Sequence, residues 1–191
     1  LLLDEKNELG GSTIFDTNED KKINKIFSSE WLKKEISELK NIKNLEIKTR
    51  TSVAAYHKYN YLLARENLTD HLEKKDKKNK IRQRLLKIRA KKVILATGAL
   101  ERPLVFNNND RPGIMLSSAV KKYSNFYGVA CGNKNIFFTN NDSAYDSALS
   151  LHNKGIKVEA IIDIRENSDA KIIEKINDAG IKIFWSHTIV N

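Results

Sequence analysis

The sequence predicts an α/β protein of two parallel-sheet units, with an antiparallel meander inside the first. Three observations carry this. From Asn135 to Trp185, strand-like and helix-like segments alternate (135–139, 142–153, 157–163, 169–179 and 181–185), with Gly155 and Gly180 closing the helical stretches. That rhythm belongs to strand–helix–strand units of a parallel, doubly wound sheet. Residues 51–92 alternate apolar and polar side chains, the pattern of half-buried antiparallel strands. Between these regions, Val93-Ile94-Leu95 places three bulky apolar residues in a row and runs into Ala96-Thr97-Gly98. Such a run reads as a short strand buried on both faces. The small residues after it let backbone come close to a ligand, although an ordinary strand-to-loop turn has the same composition.

Taken in order, Leu1 to Leu3 reads as the tail of a buried strand. The chain opens there without Met, so it is read as an internal piece of a longer protein. In a dinucleotide-binding, Rossmann-like unit the second strand ends in a carboxylate that accepts hydrogen bonds from the adenosine ribose. Asp4 and Glu5 stand at that place, followed by Gly10-Gly11-Ser12. The Gly-rich turn of such a unit lies about 20 residues earlier, which puts it before Leu1 and makes the first unit truncated at its N-terminus. A surface turn with an incidental acid is the competing reading. Lys21 to Lys40 has apolar residues at near-helical spacing and reads as a helix, with a possible break near Ser28-Ser29. Leu45 to Arg50, Thr51 to Tyr56 and Tyr59 to Leu63 read as strands. Lys74 to Lys80 reads as a polar loop. From Ile81 onward Leu86, Ile88 and Ala90 share one strand face, with Lys87 and Arg89 on the other.

The formal net charge is +10, which raises the question of nucleic acid. Glu73 to Lys92 holds eleven Lys or Arg against two acids, so that segment alone accounts for +9. No aromatic residue interrupts it, so the stacking platform of a single-strand binder is missing. A solvated loop and an outward strand face account for it without a nucleic-acid partner. Cys131 is the one cysteine, which excludes an internal disulfide, and the four histidines are never at metal-ligand spacing. No metal site is expected. No apolar run approaches the length of a membrane span.

After Pro103 the turn formers Asn107 to Gly113 mark a boundary. The expected domains are 1–106, with the meander at about 51–92, and 107–191. Ser117 to Tyr127 reads as a helix capped by its own hydroxyl and closed by Gly128. In the second unit the first strand-to-helix turn is Thr139-Asn140-Asn141-Asp142-Ser143-Ala144. A dinucleotide fingerprint needs glycine where Thr139, Asn141 and Ala144 stand. Side chains there obstruct the approach to pyrophosphate, and Asp142 repels phosphate. This unit therefore reads as degenerate, with Asp163 a vestigial ribose acid or a plain surface acid.

The acid followed by Gly-Gly, the meander, the Ala-Thr-Gly segment and the second Rossmann-like unit together resemble the two-dinucleotide-domain flavoproteins, the fold of the pyridine nucleotide-disulfide reductases. More narrowly, Val93 to Ala99, Glu101 to Leu104, Asn108 to Gly113 and Phe138 to Tyr145, with the glycine-free Thr139 to Ala144 turn, resemble the α subunits of heterotetrameric sarcosine oxidases. That resemblance implies an oxidoreductase that demethylates sarcosine to glycine, with hydrogen peroxide and, from tetrahydrofolate, methylenetetrahydrofolate as products. It implies NAD in the first unit of this subunit. FAD and FMN belong to the full complex, bound by the β subunit and at the α/β interface. It further implies β, γ and δ partner subunits, a cytoplasmic location, and no membrane or nucleic-acid partner. Carried onto this sequence, Glu5, with Asp4 as its rival, would bind the ribose. Gly10, Gly11 and Ser12 would line the diphosphate, Val53 would offer backbone to the adenine, and Thr97 and Gly98, with Ala96 beside them, would close over the cofactor. No catalytic residue is expected in this stretch. Two alternatives stay open. One is a subunit of a related opine oxidase or hydrogen cyanide synthase. The other is a stand-alone NAD(P)H-dependent FAD reductase, which would need a glycine-rich second site.

Overall fold

A computed structural model describes residues 1–16 and 22–190. They fall into two compact units, one of residues 1–13 and 22–98, the other of residues 14–16 and 99–190.

The first unit opens with β1 (Leu2–Leu3), half-buried rather than fully buried. A two-residue hairpin of β2 (Lys22–Ile23) and β3 (Ile26–Phe27) precedes helix α1 (Ser28–Lys40) and β4 (Ile47–Lys48). The helix expected from Lys21 thus starts at Ser28; Lys21 itself lies outside the described residues. The reason is local. Asn24 and Lys25 both have positive φ (51° and 68°), the backbone of a tight hairpin turn. Ile23 and Ile26, which fit the helical period, face each other across that hairpin instead. Glu30 in the first turn of α1 and Lys40 in its last complement the helix dipole. β4 lies parallel to β1, with Leu2 opposite Ile47 and Leu3 opposite Lys48.

The meander follows as β5 (Thr51–His57), β6 (Tyr61–Asn67), a short helix α2 (Lys74–Lys77) inside the expected loop, and β7 (Gln83–Arg89). The three strands are antiparallel in the order β5-β6-β7, with a bulge between Val53 and Ala55. Leu62 and Ala64 are buried on one face, beside Leu86 and Ile88 across the ladder.

The Val93 strand does not form. Residues 93–98 have no ladder partner among the described strands, and Ile94 and Leu95 are 91% and 67% exposed. An extended run becomes a strand only when a neighbour takes its amides and carbonyls. None of the described strands does so here. Ala96, Thr97 and Gly98 are therefore exposed backbone, not the end of a buried strand.

The second unit matches its predicted rhythm closely. Helix α3 (Ser117–Tyr127) is followed by β8 (Lys134–Thr139), α4 (Ser143–His152), β9 (Lys157–Asp163), α5 (Ile172–Asp178) and β10 (Lys182–Trp185). The sheet is parallel throughout, in the order β10-β9-β8. Its core joins Phe137 of β8, Val158 and Ile161 of β9, Tyr145 and Leu151 of α4 and Ile176 of α5. α3 packs on α4 through buried Val120 and Ser124 and a hydrogen bond from Asn125 Nδ2 to Ser150 Oγ (3.0 Å). Gly128 takes the left-handed conformation (φ 66°) that closes α3.

The N-terminus of α3 is capped from outside, not by its own serine. Glu101 Oε1 accepts from the Ser117 amide (3.0 Å) and hydroxyl (2.8 Å), and Oε2 accepts from the Ser118 amide (2.8 Å). Replacing Glu101 by alanine is expected to cost about 1 kcal/mol, the usual value of a lost cap. Urea denaturation should show a lower midpoint for Glu101→Ala and a smaller loss for Glu101→Gln, which keeps the acceptor oxygen.

Candidate functional site

Two places in the fold bear on cofactor binding, and each is built by a strand end. In the first unit, β1 hands the chain to Asp4. The Asp4 amide donates to Lys48 O (3.0 Å), and its carbonyl accepts from Thr51 N (2.8 Å). The Asp4 backbone is therefore gripped on both sides by the passage from β4 to β5. Its Oδ1 accepts from the Lys6 amide (2.8 Å), which folds the carboxylate over the turn. Asp4 is half-buried, whereas Glu5 is exposed. Gly10 and Gly11 have φ of 130° and 58°, the second a left-handed value that favours glycine, and a 3-10 turn starts at Gly11. A Cβ added at Gly11 or Gly98 would meet no atom within 4 Å, so open space lies in front of both. Val53 sits at the bulge of β5 and is substantially exposed; Ser12 is exposed as well.

The structure brings Asp4 and the start of β5 together through Thr51. It does not join Ala96, Thr97 or Gly98 to them, since no hydrogen bond among the described residues links that segment to the Asp4 turn. The residues present fit an adenine dinucleotide in two respects: a strand-end carboxylate with one oxygen uncommitted among the described residues, and a glycine turn with room before it. Among the described residues no group of His, Cys, Asp and Glu could hold a metal ion.

In the second unit the comparable crevice, at the carboxyl ends of β8 and β9, is filled by the protein's own side chains. Thr139 Oγ1 accepts from the Asn141 amide (3.1 Å), and Asn141 Oδ1 accepts from the Ser143 amide (3.0 Å) and hydroxyl (2.6 Å). The Tyr145 amide donates to Asp142 O (3.1 Å). The amides of Asn141, Ser143 and Tyr145 are thereby taken. Asp163, fully buried, accepts from Tyr145 Oη (2.8 Å), from the Arg165 amide (2.9 Å) and from the Arg165 guanidinium (Nη2 at 2.7 Å). The same Nη2 donates to Asp142 Oδ1 (2.8 Å), which also accepts from Ser168 Oγ (2.9 Å).

Burial pushes the Asp163 carboxyl up, but the Arg165 and Tyr145 hydrogen bonds outweigh it and hold the group below the usual aspartate range. The hydrogen bond from Arg165 lowers Asp142 as well. Burial and then Asp163 raise the Tyr145 hydroxyl, so Tyr145 stays a neutral donor. Asp163 is thus neither a vestige nor a plain surface acid but the centre of a buried network. Sequence reasoning missed Arg165 and Tyr145. The available signal was an arginine two residues beyond a strand-end acid, within reach of it only if the chain turns back.

Removing Arg165 leaves a buried carboxylate without its cation, a change that costs about 3 kcal/mol. Thermal denaturation of Arg165→Gln is expected to show that loss, and Arg165→Gln with Asp163→Asn should recover part of it. The acid limb gives a second check. A carboxyl held below its unfolded value adds stability that is fully present above about pH 4. That stability is lost as the pH falls through the folded-state value. Wild-type stability should decline on acidification over this window more steeply than that of the double variant.

No protein-family model matches the chain. Over all 191 residues it is 39% identical to the sarcosine oxidase α subunit of Corynebacterium sp. strain P-1 and 38% identical to that of strain U-96. Over 165 residues it is 37% identical to the α subunit of Rhizobium meliloti strain 1021. The chain spans about a fifth of the length of these relatives, 19% of the first two and 16% of the third. Among solved structures it is similar to L-proline dehydrogenase from P. horikoshii, with a TM-score of 0.64 and 25% identity over 89% of this chain and 31% of that one. The 191 residues are related, end to end, to one segment of the sarcosine oxidase α subunits.

Proposed function

We propose that this sequence belongs to the NAD-binding α-type subunit of a multi-subunit flavoenzyme that oxidises sarcosine. The reaction is oxidative demethylation of sarcosine to glycine, with release of hydrogen peroxide and formation of methylenetetrahydrofolate from tetrahydrofolate. The observation that carries the reading is an identity of 38–39% over an alignment that spans all 191 residues. In this reading none of the described residues takes part in the oxidation itself. Their task is to hold NAD, while FAD and FMN and the β, γ and δ subunits complete the enzyme. The cytoplasm is the proposed location. No helix among the described residues is long and apolar enough to cross a membrane.

Within the NAD site the geometry favours Asp4 over Glu5 as the ribose ligand. Asp4 directly follows β1, its backbone is fixed by Lys48 and Thr51, and one carboxylate oxygen is uncommitted among the described residues. In this reading Gly10, Gly11 and Ser12 line the diphosphate side and Val53 faces the adenine; Ala96, Thr97 and Gly98, which are not joined to the Asp4 turn, would have to close over the cofactor when it binds. The stand-alone NAD(P)H-dependent FAD reductase alternative is disfavoured, because the Asn141 and Ser143 amides and the Asp163 carboxylate of the second unit are already bonded within the protein.

The fold likeness to L-proline dehydrogenase favours a second reading, oxidation of a different secondary amine by a related complex. Sarcosine and proline both present a C–H bond next to a secondary nitrogen. The purified full-length complex, given each amine in turn, separates the two. Sarcosine-dependent peroxide production is expected. Turnover of L-proline with an artificial acceptor and none of sarcosine would favour the second reading. For the site, NAD binding by the full-length protein should weaken about tenfold in Asp4→Asn, equivalent to one lost charge-assisted hydrogen bond. Glu5→Gln should bind as the wild type does. The reverse result would move the ribose ligand to Glu5.

A further inference from the structure

The two faces of the three-stranded meander treat their charges differently. On one face Glu66, nine-tenths buried, takes both neighbouring cations, Lys48 at 3.2 Å and Arg84 at 3.5 Å. On the other face the cross-strand register sets Arg65 beside Leu85, Leu63 beside Lys87 and Tyr61 beside Arg89. β5 adds Ser52, Ala55 and His57 to that face. It holds three cations and no acid. Arg65, Lys87 and Arg89 have no ion pair among the described residues, and Asp70, beyond the end of β7, is bonded to Arg82 and Gln83. Leu85 lies among these cations at 61% exposure, with Leu63 and Tyr61 half-buried beside it. Among the described residues β7 is also an edge strand, paired with β6 alone.

Cations on an edge strand discourage sheet-to-sheet aggregation. That role does not call for exposed leucine between them, nor for the removal of every acid from one face while the other is neutralised. Arginine and tyrosine around an apolar centre are the composition of a protein interface. We propose that this open face of the β5-β6-β7 sheet docks an acidic surface of another subunit in the complex. The proposal rests on the multi-subunit reading above. Apolar contact at Leu63 and Leu85 would supply the centre, and carboxylates of the partner would meet Arg65, Lys87 and Arg89. A single-stranded nucleic acid fits less well. The Tyr61 ring, the stacking surface it would need, is already covered by the Arg89 guanidinium at 5.3 Å.

The test uses the full-length subunit, free and in its purified complex. Lysine acetylation read by mass spectrometry should label Lys87 in the free subunit and spare it in the complex. Lys74, on the same basic segment but off the face, should label in both. In parallel, Lys87→Glu with Arg89→Glu is expected to weaken subunit association about tenfold or more, with reduced salt dependence. Lys74→Glu with Lys75→Glu, an equal change in net charge, should alter it less than about twofold. Circular dichroism checks that both variants fold. Equal losses in both variants, or reactive Lys87 in the complex, would overturn the proposal. Protection of Lys87 already in the free subunit would assign the face to the same polypeptide, and loss of RNA retention alone would assign it to nucleic acid. If no partner chain co-purifies, the multi-subunit reading falls with it. Partners that co-purify while Lys87 stays reactive remove the docking face alone.

Discussion

The first unit depends on a short seam of backbone hydrogen bonds between residues 2–6 and 46–51. Leu2 N donates to Glu46 O, Asp4 N to Lys48 O, Arg50 N to Lys6 O and Thr51 N to Asp4 O, all at 2.7–3.0 Å. Each is worth about 1 kcal/mol net, and together they hold the one stretch of parallel pairing among that unit's described residues. The seam is also where the chain changes partners. β4 pairs in parallel with β1, and β5, three residues later, pairs antiparallel with β6. Arg50 makes the change with φ of 52°, a left-handed backbone that costs a non-glycine residue about 1–2 kcal/mol. Its carbonyl then accepts from Asn67 N (2.9 Å), so the strained residue is tied on both sides.

This construction explains which parts of the fold were legible in the sequence. The second unit was legible because its elements satisfy one another: each strand has a parallel neighbour, each helix covers the strands it joins, and period and partner agree. Lys157 to Asp163 and Ser117 to Tyr127 take the bounds that their spacing indicates. Where period and partner disagree, the pattern misleads. Ile23 and Ile26 fit a helix, but two left-handed residues between them make a hairpin. Val93 to Leu95 fit a buried strand, yet hydrophobic pattern alone cannot make one, because the ladder must come from neighbouring strands and none of those described supplies it. The cap on α3 was illegible for a different reason. Glu101 is 16 residues from Ser117, and only the folded path of the intervening chain brings them together.

The candidate site shows the same limit at the level of single side chains. The resemblance put Glu5 first, with Asp4 as its rival, since a motif counts residues but does not say which one leaves the strand first. Backbone pairing fixes Asp4 at the end of β1 and leaves Glu5 outside the ladder, which is what supports Asp4 in the proposed site. Charge counting had the opposite weakness. The eleven cations between Glu73 and Lys92 looked like one basic tract. The strand alternation sends Arg84 to a neutralised face and Lys87 and Arg89 to an uncompensated one, a division invisible to net charge.

An aspartate at the end of a strand means different things in the two units, and what surrounds it decides which. Asp4 has one oxygen held by an amide of its own turn and glycines ahead of it. Asp163 has both oxygens bonded, by a tyrosine hydroxyl and a guanidinium that also holds Asp142. In the proposed site a ribose hydroxyl would find on the first an oxygen uncommitted among the described residues. At the second it would have to break bonds that keep a fully buried charge paired, and a buried carboxylate without its cation is among the most expensive defects a fold can carry. The absence of glycine from the Thr139 to Ala144 turn is thus only half of the second unit's closure. Arg165 is the other half: it places a protein cation where a nucleotide-binding unit leaves its carboxylate open. A single glycine restored to the turn would therefore not reopen the crevice while that cation remained in it.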